Sequence, residues 1–242
     1  MKKTTRNAIV AALLGGCSLW SAHAQTTIVS GTRDFGGASL GTSCNGSSES
    51  QAPVVLVRPG GVVRNLRIRA GGGADGIHCQ GTCRLENVVW EDVCEDAATA
   101  LGGSGTTMTV TGGSANNAAD KIFQHNGVGG AVSISNFAVN GSNGKLYRSC
   151  GNCGTQGRRT VNMSGITING TLSSGMAGVN RNYGDVATIR SVRWRNWNST
   201  SNSDSAAACI TYNGVTGGTS PKLQPEWGTA SCNVTRSDIT RF

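Results

Sequence analysis

The sequence predicts an all-β protein folded as a parallel β-helix, a solenoid of stacked coils forming one domain. Three observations carry that expectation. Apolar and polar residues alternate in short runs, Gly, Asn and Ser punctuate those runs, and corresponding positions return at intervals in the twenties. The runs lie at 62–68, 84–90, 108–111, 132–139, 161–168 and 187–194. Alternation with period two is the pattern of a half-buried strand. Asn65 to Asn87 is 22 residues, Val110 to Ile134 is 24, and Met163 to Ile189 is 26. Leucine-rich repeats share such periods but need a leucine consensus that is missing here. A β-sandwich also strings short strands together, yet it gives no reason for charged residues to recur at one phase of the repeat. Terminal coils of a solenoid need caps, and residues 26–43 and 215–242 are the expected ones.

Taken in order, the chain begins with Lys2, Lys3 and Arg6, an apolar segment from Ala8, and the small-x-small sequence Ala22-His23-Ala24. This is the pattern of a signal peptide over residues 1–24, too short to span a bilayer, and it predicts a secreted, extracellular domain over 25–242. Leu14-Gly15-Gly16-Cys17 loosely resembles a lipoprotein box, which makes a lipid-anchored form the alternative. Without residues 1–24 the chain keeps 18 basic and 13 acidic side chains, a balance of +5. That charge suits a polyanionic partner. Blocks of Lys and Arg are lacking and aromatic residues are few, so an acidic polysaccharide fits better than nucleic acid. We expect a monomer without nucleic-acid or membrane partners. Eight cysteines remain, which in a secreted chain imply disulfides rather than zinc sites, with 105 connectivities open in principle. Proximity in sequence favours Cys79–Cys83 and Cys150–Cys153, with Cys209–Cys232 stapling the C-terminal end.

Charge is distributed unevenly. Of the 13 acidic residues, Glu86, Glu91, Asp92, Glu95 and Asp96 fall within eleven positions of an otherwise basic chain. Crowding like charges costs free energy and calls for compensation by a hard cation such as calcium or by nearby lysines. Asp75, Asp96, Lys121 and Lys145 follow one another at intervals of 21, 25 and 24 residues, each just before an apolar pair or run. In a coil stack such residues sit on neighbouring strands about 4.8 Å apart and form one surface column, with Glu95 and Arg148 close by.

The same residues resemble the pectate lyases of polysaccharide lyase family 3. The resemblance rests on Ala74-Asp75-Gly76-Ile77-His78-Cys79 with Gly81 and Cys83, and on Asn87-Val88-Val89-Trp90-Glu91-Asp92-Val93 running into Glu95-Asp96-Ala97. It extends to Asp120-Lys121-Ile122-Phe123-Gln124 with Asn126, to Gly144-Lys145-Leu146-Tyr147-Arg148, and to Glu49-Ser50-Gln51 upstream. It covers roughly residues 45–215. Membership would imply a right-handed parallel β-helix, calcium dependence, and β-elimination of de-esterified pectin (polygalacturonate), the acidic polysaccharide of plant cell walls. Asp75, Glu95 and Asp96 fall on the family's calcium positions. Lys121, Lys145 and Arg148 fall on its cationic catalytic positions, Lys145 and Arg148 also binding substrate, and Glu49 on a further acidic site position. Cys94 departs from the glycine common there, and a disulfide to Cys44 would fix the turn.

Several residues have plainer readings. Glu91 and Asp92 are expected to face solvent or cap a turn, His78 to be a structural histidine and His125 a turn residue. Trp194 and Trp197 are expected to be packing groups, and Arg67, Arg69, Arg193 and Arg195 the solvated face of a half-buried sheet. Two other functions remain compatible with the fold. A glycoside hydrolase needs two carboxylates placed as acid and base or nucleophile, and has no necessary use for Lys121 or Lys145. A non-catalytic polysaccharide-binding module could use the basic surface without a metal cluster.

Overall fold

The computed structural model describes residues 25–242 apart from Ser47 and Glu49. The expected signal peptide and the candidate site residue Glu49 therefore lie outside the described residues. Short strands build three long sheets of nine, eight and eight strands, and successive coils add one strand to each sheet in turn. All pairings in these sheets are parallel except the last of the first sheet, where Lys222–Pro225 returns antiparallel to Cys209–Tyr212. This is the parallel β-helix that the periodicity predicts. No helix of the described residues is long and apolar enough to cross a membrane.

The repeat intervals are pairing registers. Arg64 lies opposite Glu86, Val110 opposite Ile134, and Met163 opposite Ile189. Five of the six runs are not single strands but split at a residue in the left-handed region: Asn65 (φ 52°), Asn87 (φ 53°), Asn136 (φ 52°), Gly165 (φ 66°) and Ser191 (φ 55°), whereas 108–111 lies within the single strand Thr107–Thr111. Val62–Arg64 thus belongs to the second sheet and Arg67–Ile68 to the third. Asparagine tolerates this conformation because its short amide bonds locally. Here Asn87 Nδ2 donates to Asn65 Oδ1 at 3.4 Å, so the corner repeats as a ladder.

Alternation then determines the interior. Val63, Leu85, Val110, Ile134, Met163 and Ile189 form one inward column, all fully buried. Burial of each such side chain contributes about 1.5–3 kcal/mol. Trp90, Phe123 and Phe137 make edge-on contacts in the centre, with ring centroids 5.2–6.3 Å apart. Trp194 and Trp197 stack at 6.5 Å inside the C-terminal coils and are packing groups, as expected. Arg67 pairs with Glu91, and Arg193 and Arg195 lie over the Phe242 ring at 4.7 and 5.0 Å.

The cap expectation needs correction. Residues 26–43 are the first coil itself, since Thr27–Val29, Thr32–Asp34 and Ser39–Leu40 open the three sheets. The C-terminal segment likewise adds Cys232–Asn233 and Ile239–Arg241 to the second and third sheets. Four disulfides join Cys44 to Cys94, Cys79 to Cys83, Cys150 to Cys153 and Cys209 to Cys232. They match the pairings expected from proximity and from the resemblance.

Candidate active site

The first sheet carries the charged column. Lys121 and Lys145 are opposite one another in the strands Lys121–His125 and Lys145–Ser149. Ala98 pairs with Ile77 on one side and Phe123 on the other, so two residues earlier Asp75, Asp96 and Lys121 follow the same register. Donor oxygens of Asp75, Glu95 and Asp96 lie within 4.8 Å of one another. Glu95 and Asp96 are buried, and Asp75 is held by His78 Nε2 at 2.8 Å from its Oδ2. His78 thus holds the Asp75 carboxylate in place.

Lys121 fits against this cluster. Its Nζ is 3.5 Å from Glu95 Oε1, 3.4 Å from Asp96 Oδ1 and 3.1 Å from Asp120 Oδ2. Lys145 Nζ donates to the other Asp120 oxygen at 2.9 Å. Burial drives the Glu95 carboxyl far above the usual carboxylate range, and Asp96 and Asp75 push it further. Burial also raises Asp96, although Lys121 opposes the shift. For Lys121, burial alone would lower the pKa, but Asp96, Asp120 and Glu95 outweigh it and hold the proton well above the ordinary lysine range. Asp120 shifts the other way: burial would raise it, and Lys121 and Lys145 more than offset that. Even with Lys121 beside it, Asp96 Oδ1 is buried without a hydrogen-bond partner. Three carboxylates from two coils, one with an orphaned oxygen, form a donor set suited to a hard cation.

Arg148 completes the cationic side. Lys121, Lys145 and Arg148 line one groove of about 590 Å³, walled by the Cys150–Cys153 loop and by residues 218–220. The structure therefore brings together six of the seven residues singled out in the sequence, Glu49 being undescribed. Glu91 and Asp92 stay outside the cluster, accepting from Arg67 and from Asn117 Nδ2. His125 is a correction. It ends the strand Lys121–His125, is buried, and bonds to the Tyr147 hydroxyl at 2.9 Å and the Gly129 carbonyl at 2.8 Å. Burial pushes its pKa down to about 4.

Asp120, the bridge between both lysines, was not singled out from the sequence, although it immediately precedes Lys121 in the quoted motif. The groove wall at 218–220 had no signal at all, because it lies some seventy residues from Arg148.

Comparison with known proteins bears on these features. The sequence pattern of the pectate lyase family, described as Pectate lyase, matches residues 18–219. The chain belongs to the pectate lyase family. It is 46% identical over 176 residues to a protein of Emericella nidulans named "Probable pectate lyase D", covering 69% of this chain and 63% of that one. It is 45% identical over 181 residues to "Pectate lyase H" of the same fungus, covering 72% and 63%. The chain thus spans less than two thirds of the length of these relatives. Among solved structures, the catalytic domain of a pectate lyase from Erwinia chrysanthemi superposes with a TM-score of 0.79 at 40% identity. That match covers 90% of this chain and all of the other. A pectate lyase of Pectobacterium carotovorum gives a TM-score of 0.83 at 41% identity, covering 92% and 71%. The Erwinia chrysanthemi enzyme in complex with tetragalacturonic acid gives 0.77 at 43% identity, covering 87% and 68%.

Proposed function

We propose that the protein is a secreted, monomeric, calcium-dependent pectate lyase that cleaves de-esterified pectin by β-elimination. The observation that carries this reading is one column holding three clustered carboxylates, an adjoining buried lysine, and a second lysine with an arginine across the groove. Family membership supports the activity, and the tetragalacturonic acid bound by the Erwinia chrysanthemi relative supports the substrate class.

Asp75, Glu95 and Asp96 would hold calcium. When bound, it supplies the positive charge that offsets the three carboxylates and draws electron density from a uronate carboxylate. Lys121 is the base. Its Nζ takes the proton from the ring carbon that bears the carboxylate. The electron pair left behind forms a double bond to the neighbouring ring carbon, and the glycosidic C–O bond there breaks. The departing oxygen takes a proton from water, leaving an unsaturated sugar. Only the free amine can act this way, so the Lys121 ammonium must first lose its proton. Lys145 and Arg148 bind the uronate carboxylate and stabilise the enolate-like charge that develops on it.

A hydrolase reading is less well supported. Inverting and retaining glycosidases set two carboxyl groups on either side of the bond, roughly 5–9.5 Å apart. Here Asp75, Glu95 and Asp96 cluster with donor oxygens within 4.8 Å of one another, and the remaining site carboxylate, Asp120, is paired with both lysines. A pure binding module would have no reason to bury Lys121 among acids. One assay on polygalacturonate separates the three. A lyase gives unsaturated products with new ultraviolet absorbance, a hydrolase gives reducing ends without it, and a binder gives neither.

A further inference from the structure

We propose that Asn180, Tyr212 and Ser220 are positioning residues that leave Arg148 a single two-point fork for a free carboxylate, setting discrimination between uronate and its methyl ester. This inference rests on the functional reading above and deepens it. The argument is a count of donors. A guanidinium has five N–H groups and no acceptor. Arg148 Nη1 donates to the Ser149 carbonyl at 2.6 Å, to Asn180 Oδ1 at 2.9 Å and, as a shared longer contact, to the Gly178 carbonyl at 3.4 Å, which uses both of its hydrogens. Nη2 donates to Ser220 Oγ at 3.1 Å, which uses a third. Nε–H and one Nη2–H remain, the adjacent pair that matches the two oxygens of a carboxylate. The residue is only 8% exposed, and it lines the groove together with Lys121 and Lys145.

Each acceptor is itself fixed. Ser220 gives its own hydroxyl hydrogen to the Asn213 carbonyl at 2.9 Å, so only a lone pair can face Arg148. Asn180 Nδ2 donates to the Cys150 carbonyl at 2.8 Å, which turns its oxygen toward the guanidinium. The Tyr212 ring lies under the guanidinium, 3.9 Å from Cζ to the ring centre, and prevents tilting. There is no slack around this stack. A Cβ added at Gly178 would come within 2.8 Å of Arg148 Cδ and 3.0 Å of the Tyr212 ring. Tyr212 ends the strand Cys209–Tyr212 and Ser220 lies in the connection to the antiparallel strand Lys222–Pro225, so later segments aim a residue of an earlier coil. A methyl ester has lost the charge and offers no second strong acceptor, so a rigid fork binds it poorly. A guanidinium free to rotate would meet a single carbonyl oxygen nearly as well.

The test uses the full chain with calcium present, titrated calorimetrically with trigalacturonate and with its fully methyl-esterified form. Steady-state KM and kcat for unsaturated product are measured in parallel. We expect Ser220→Ala and Tyr212→Leu to weaken trigalacturonate binding and raise KM on the order of tenfold, and to lower kcat as well, since Arg148 also stabilises the developing charge. Binding of the methyl ester should hold steady, so the preference for free uronate narrows. Ser220→Thr and Tyr212→Phe keep the acceptor and the ring, and should restore it. Variants that melt normally yet bind trigalacturonate like the wild type would overturn the proposal, as would equal loss of both ligands or failure of the wild type to bind trigalacturonate. If the wild type binds trigalacturonate but makes no unsaturated product, the lyase reading fails alone, and the fork is judged on binding.

Discussion

The first and second sheets share one backbone plan but treat side chains oppositely. In the second sheet the strands Thr107–Thr111, Ala131–Ser135, Thr160–Ser164 and Val186–Arg190 pair in continuous register, with apolar residues inward and mostly uncharged polar residues outward. In the first sheet the same stacking puts Asp96, Lys121 and Lys145 in a row, and Glu95 and Asp96 are buried. Buried like charges destabilise a fold unless something compensates them. The stack therefore supplies coordinates, and one phase of it departs from the stability optimum to place reactive groups about 4.8 Å apart.

Breaking the charged side should give the largest effect. Lys121→Ala with calcium present is expected to lower kcat by about 10²–10⁴-fold, the range of a general base, while substrate binding persists. Because only the free amine of Lys121 can take the proton, wild-type kcat with calcium present should rise from neutral toward alkaline pH. A pH–rate profile of wild type against Lys121→Ala checks both points. Loss of the slope as well as the rate identifies the base.

Breaking the apolar side should act on stability alone. Ile134→Ala opens a cavity in the second sheet's inward column and is expected to cost about 2–5 kcal/mol. Denaturant unfolding should reveal that loss, and KM should be unchanged.

His125 sharpens the comparison, because it lies on the catalytic sheet but points inward. Its folded pKa is down to about 4 from 6.5, through burial first and Arg159 second. Above 6.5 both folded and unfolded states are neutral and its contribution is complete. As pH falls from 6.5 through about 4, the unfolded chain takes up the proton first and that stability is lost, up to about 3 kcal/mol. Melting temperature should decline across this window, and His125→Gln should flatten the decline.

The smallest effect belongs to the solvated charges. Arg67 and Glu91 pair at 2.7 Å with both side chains partly exposed. Arg67→Ala should cost about 0–1 kcal/mol and leave kcat and KM alone.

Much of this contrast was legible in the sequence, since solenoid pairing converts intervals of 21 to 25 residues into neighbouring strands. That is why Asp75, Asp96, Lys121 and Lys145 could be placed in one column before any coordinates were known. The corners were less legible. Asn65, Asn87 and Asn136 each follow another polar residue (Arg64, Glu86, Ser135), so the alternation slips by one there, and their left-handed backbone shows that each run feeds two sheets. His125, expected to be a turn residue, instead ends a strand, because tertiary burial carries the strand through it. Asn180, Tyr212 and Ser220 were invisible for another reason. They approach Arg148 from later coils and from an antiparallel return that breaks the period.

The central claim is that the carboxylate cluster makes the chemistry depend on calcium. The direct measurement is the initial rate of unsaturated product from polygalacturonate against calcium concentration, for exhaustively chelated wild type and for Asp96→Ala. The account predicts no product without calcium, saturable recovery on its addition to the wild type, and little or no recovery in the correctly folded variant. Undiminished activity after chelation, or full calcium-dependent activity in Asp96→Ala, would contradict it.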